Sequence, residues 1–110
     1  MNTTNTAIEL AEKGARANAE QATKEAIAAK KYASDDQPWC ASDRMREAKK
    51  YLAIAETFAI AAGSEEAQLQ AAGAANIVKA AAEAHEESEK RWLDKQRTEA
   101  LRLLIDKATK

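Results

Sequence analysis

Apolar residues along this 110-residue chain recur with a helical period almost throughout. In the first third, Ile8, Ala15, Ala22 and Ala29 return every seven residues, and Ala11, Ala19, Ala26 and Ala33 lie beside them on the same face. This spacing predicts a helix over residues 6–33 with a stripe of small residues, which lets a partner helix approach closely. Glu9–Lys13, Glu12–Arg16 and Glu20–Lys24 stand four apart in the favourable order on the other face,. Gly14 interrupts the pattern without ending it, at an expected cost of about 1 kcal/mol relative to alanine.

The stretch 34–42 reads as a loop, because Pro38 forbids a continuing helix and biases Gln37 away from helical geometry,. The second helix is expected over 42–62. Two starts are compatible with the residues: Ser42 as N-cap, or Pro38 within the first turn. Ala41, Met45, Ala48, Leu52, Ala55, Ala59 and Ala62 then alternate steps of four and three, a heptad-like seam that Tyr51, Ile54 and Phe58 widen on one side,. Gly63 sits where a helix-terminating glycine belongs, and Ser64 follows as an N-cap with Glu65 and Glu66 in the next first turn,.

Residues 64–108 contain no proline and one glycine, Gly73. They read as one long helix, with a break near the polar stretch 85–91 as the alternative that would create a fourth. Beyond that stretch the chain turns apolar again at Trp92, Leu93, Leu101, Leu103, Leu104 and Ile105. The expected fold is all-α: a single-domain antiparallel three-helix bundle with a long C-terminal helix.

Composition supports this. Alanine, the strongest helix former, dominates, while glycine, proline and aromatic residues are scarce,. An alanine core buries little area, so extra burial between subunits is expected to help. The C-terminal apolar stripe has no evident partner within its own chain, and a homodimer is therefore expected. The polar residues after Met1 and the lack of an apolar run near the ~18 residues of a membrane span read as a complete chain without a leader. Together with a lone cysteine they make the cytoplasm the expected compartment. A net charge of −1, with both signs mixed along the chain, argues against a nucleic-acid binder driven by bulk charge,.

Candidate chemistry is sparse. His85 is the only histidine. A bundle di-metal site would need a carboxylate three residues earlier, where Ala82 stands. Cys40 has His85 as its only conventional base and is expected to pack as a small, half-buried residue with Trp39 under the loop. The glycines are too dispersed for a phosphate loop. Neither an enzyme nor a cofactor is expected. The turn around Gly63 has spacing like a helix-turn-helix, with Leu69 at a core position and a basic side from Arg44, Arg46, Lys49 and Lys50. Its would-be recognition helix nevertheless opens with Glu65 and Glu66, which repel phosphate.

The reading is a non-enzymatic helical module that binds and blocks a larger protein. A DNA-binding regulator built on the Gly63 turn is the alternative. Short motif-free helical chains of this style include many accessory and inhibitor proteins of phages and other mobile elements. An inhibitor of host defence, such as an anti-CRISPR, is one form the module is expected to take. Trp39, Arg91, Trp92, Leu101 and Leu104 are the expected contact residues, since tryptophan and arginine are enriched at interface hot spots. For each tryptophan, closing an end of the bundle is the competing role.

Overall fold

A computed structural model describes residues 3–109 of the chain; the start at Met1 and Asn2 lies outside them. Three helices follow one another: α1 (Thr3–Ser34), α2 (Pro38–Ala62) and α3 (Glu65–Thr109). The molecule is a rod of 84 × 17 × 17 Å. Even α2, about 37 Å long at 1.5 Å per residue, cannot lie across such a rod, so all three helices run along its axis. Each packs on the other two, and consecutive helices are antiparallel.

The core follows the small-residue stripes. Ala15, Ala22, Ala26 and Ala29 of α1, and Ala41, Ala48 and Ala55 of α2, have no exposed surface. Beyond alanine, only Met45, Val78 and, at the start of α2, Pro38 bring apolar side chains to the buried set among the described residues. With a single methyl group per position between them, helices settle near the low end of the roughly 8–10 Å interaxial range. Leu52 of the predicted seam is only partly buried, as are Tyr51 and Ile54, while Phe58 is exposed at the rim.

Phe58 explains Gly14. A Cβ at Gly14 would stand 2.8 Å from the Phe58 ring, so the glycine is the close-approach point of α1 to an aromatic ring on α2. Two cross-helix ion pairs also differ from the local pairing expected of the sequence. Arg16 reaches Glu66 on α3 at 3.5 Å, and Arg44 reaches Glu25 on α1 at 2.9 Å. The hydrogen bond that Arg44 donates to the Glu25 carboxylate, reinforced by that group's charge, raises the guanidinium above its ordinary pKa. Glu86 and Lys90, four apart on α3, pair within their helix at 3.8 Å.

The connections are shorter than the sequence suggested. The expected loop 34–42 shrinks to Asp35–Gln37, and α2 begins at Pro38, where a missing N–H costs nothing,. Ser42 therefore lies inside the helix and caps nothing. Trp39 is helical, not in a loop, and Cys40 is exposed, not half-buried beneath one. α1 ends on Asp36, whose φ of 56° is left-handed, with Gln37 N–H donating to Tyr32 O at 2.9 Å. Asparagine and aspartate tolerate this conformation better than other non-glycine residues.

At the other end Gly63 (φ 66°) donates its N–H to Ala59 O at 3.0 Å. Ser64 Oγ accepts from Ala67 N–H at 3.3 Å. This is the predicted glycine terminus followed by a serine cap. α3 then runs unbroken through the polar stretch 85–91, so there is no fourth helix among the described residues.

Candidate interaction surface

α3 is longer than the bundle that supports it. Its buried positions are Ala67, Ala71, Ala74, Val78, Ala81 and finally Ser88. From Ser88 to Thr109 the helix continues for about 31 Å, with Trp92 as the last residue even partly covered. Along this projection Leu93, Leu101, Leu103, Leu104 and Ile105 are exposed, Leu104 at 65% and Leu101 at 61%.

At 3.6 residues per turn these residues do not simply extend the bundle-facing stripe. The line through Ala81, Ser88 and Trp92 continues into Gln96, Glu99 and Leu103. Leu93, Ala100, Leu101, Leu104 and Ile105 lie roughly a third of a turn or more away from it. The projection thus has an apolar face of its own, aimed to the side of the bundle.

The base of the projection is fixed to the α1–α2 turn and the start of α2 by two side chains from the polar–aromatic segment of α3, Arg91 and Trp92. Arg91 Nε donates to Asp36 Oδ1 at 2.9 Å, and its Nη2 donates to Ala33 O at 3.1 Å. The guanidinium so adds a second hydrogen bond to a carbonyl at the α1 C-terminus that already accepts from Asp36 N–H at 3.1 Å, where positive charge is favoured. Trp92 meets Trp39 edge to face, with ring centroids 4.5 Å apart and planes at 82°, a preferred aromatic geometry. The two tryptophans close the same end of the bundle together. Of the five expected contact residues, Trp39, Arg91 and Trp92 are thus brought together in an intramolecular clasp. Leu101 and Leu104 stand apart on the projection. Trp39 keeps 60% of its surface exposed despite the clasp.

Beside the tryptophan pair is a shallow cleft of about 240 Å³ lined by Pro38, Trp39, Ser42, Glu89, Trp92 and Leu93. Leu93 is shared by the cleft and the projecting apolar face, which makes the two continuous. Pro38, Ser42 and Glu89 are cleft residues that were not among the expected contact residues. For Pro38 and Ser42 the available signal was the start of α2, and for Glu89 its spacing of four from His85. His85 Nε2 is 2.9 Å from Glu89 Oε1 but lies off the direction of a hydrogen bond, and it and Ser88 Oγ are buried without partners.

The Gly63 turn, by contrast, does not build a helix-turn-helix. That motif crosses its helices at about 90–120°, whereas α2 and α3 double back along a 17 Å wide rod. Leu69 is exposed, not a core residue. No helix among the described residues is long and apolar enough to cross a membrane. Among them, too, no group of three histidine, cysteine or acidic side chains is gathered as a metal site. Comparison of the chain with known protein families, curated proteins and solved structures gives no match.

Proposed function

We propose that this protein is a non-enzymatic interaction module that works by laying the projecting part of α3 against another protein. The observation that supports this is the separate apolar face at Leu93, Leu101 and Leu104, with Ile105 at its edge, which runs from about 8 to about 26 Å beyond the last buried residue on a helix with bundle support only at its base. Exposed apolar patches of this kind mark interaction sites. The clasp of Arg91, Trp39 and Trp92 has a supporting role in the reading: it ties the end of the bundle to the base of the projection. Blocking a surface of a larger partner is the activity such a module would have. Inhibition of a host-defence complex, as by an anti-CRISPR, is one instance.

The test is capture of binding proteins by the full chain and by Leu101→Asp and Leu104→Asp variants. Circular dichroism would establish that both variants stay helical. Both substituted residues lie outside the bundle, so folding should be unaffected while capture is lost. Undiminished capture by both variants would reject the projection as the contact surface.

A further inference from the structure

We infer that the first occupant of the projecting face is a second copy of this chain, bound antiparallel so that the end of each α3 seats in the tryptophan cleft of the other. The inference rests on the interaction reading above and specifies its partner and register.

Leu93, Arg97, Ala100 and Leu104 follow one another at steps of four, three and four, the spacing of a two-helix seam. Two such seams placed antiparallel are complementary in one register. Leu93 meets the partner's Leu104, and Arg97 meets the partner's Ala100, a small residue across which a long aliphatic stem can lie. Arg97 already leans toward Asp94 within its own helix, at 3.8 Å, which leaves the stem over the seam and the charge at its edge.

The same register fills the cleft. Lys107 comes level with the partner's Lys90, one residue from Glu89, a half-exposed cleft-lining carboxylate that also stands 2.9 Å from His85 Nε2. Glu86 is within reach of the same position. Lys90, the like charge there, is already engaged by Glu86 at 3.8 Å. Leu103 projects toward the flank that carries the cleft, beside Trp39, Trp92 and Leu93. Every contact occurs twice by two-fold symmetry, as an isologous dimer requires. The bundles lie at opposite ends of the helix pair and do not compete for space. Ile105 points away from the seam and remains outside the interface.

The decisive experiment is the solution mass of the full chain by light scattering and sedimentation, with reductant present and over a range of concentrations. The wild type should be a dimer. Leu93→Asp and Leu104→Asp should be monomers with unchanged helicity, while Ile105→Asp should remain a dimer. Glu89→Lys and Lys107→Glu should each weaken association by about tenfold, the order expected of an exposed ion pair doubled by symmetry. The double exchange should recover the wild-type mass.

A wild-type monomer at roughly 0.1 mM would overturn the proposal, as would equal loss from Ile105→Asp and Leu104→Asp, or a double exchange without recovery. If the chain is monomeric but Leu104→Asp still abolishes capture of a foreign protein, the interaction reading stands and only the self-association falls.

Discussion

Replacing Ala22 by leucine should destabilise the protein even though it adds hydrophobic surface. Three extra carbon groups at ~0.8 kcal/mol each would contribute about 2.4 kcal/mol if there were room for them. There is none. Ala22 has no exposed surface and belongs to a cluster in which Met45 and Val78 are the only non-alanine members. A leucine there forces α1 away from α2 and α3 toward the spacing of ordinary bundles, near 10 Å. The close methyl contacts of Ala19, Ala26, Ala48 and Ala55 are lost as the helices separate. Overpacking a tight core costs about 1–3 kcal/mol beyond any transfer gain. We expect a net loss of about 2 kcal/mol, a large share of a total stability on the order of 5–15 kcal/mol.

Urea unfolding followed by circular dichroism, at one fixed protein concentration because association would shift the midpoint, measures this directly. Ala17→Leu is the control. Ala17 is on the exposed face of α1 and leucine is nearly as good a helix former, so its change should stay within about 0.5 kcal/mol. A stabilised Ala22→Leu variant would refute the close-packed alanine core and with it the account of why the stripes are small.

Three further expectations come from the ends and the close-approach point of the bundle. Arg91→Ala should cost about 1 kcal/mol, combining a half-exposed ion pair with a second bond to the Ala33 carbonyl, which keeps its bond from Asp36 N–H,; a double-mutant cycle with Asp36→Ala should leave part of that loss uncoupled, because the Asp36 carboxylate takes no part in the carbonyl bond. Gly63→Ala should cost about 1 kcal/mol by chemical denaturation, since its φ of 66° is strained for any residue with a Cβ,. Gly14→Ala should destabilise the wild type through collision with the Phe58 ring, yet stabilise a Phe58→Ala background by up to about 1 kcal/mol, where only helix propensity is left to act. The same sign in both backgrounds would show that the ring does not determine the glycine.

The helices and their seams were legible in the chain because they depend on near neighbours. The period of Ala15, Ala22 and Ala29, the four-three steps through Met45 and Ala48, and the Gly63–Ser64 junction all encode local geometry, and α1, α2 and the start of α3 follow them. The candidate surface was legible in part: Leu101 and Leu104 could be recognised as apolar residues with no partner in the chain. What they are free of, and on which side they face, could not. That depends on where α1 and α2 stop along α3, a length relation set only when the three helices dock.

The same docking decided the rest of the site. Arg91 and Glu87 stand four apart and invite a local pair, but Arg91 binds Asp36 and the Ala33 carbonyl, more than fifty residues away in sequence at the end of α1. Trp39 and Trp92 are fifty-three residues apart in the chain and meet because the α1–α2 turn is brought level with the middle of α3. Gly14 read as a defect in a helix until the Phe58 ring was placed against it. Sequence by itself determined which residues form helices and which face of each is small. The tertiary structure alone decided which polar and aromatic groups meet, because those contacts depend on the relative heights of helices along a common axis, and local periodicity carries no information about that offset.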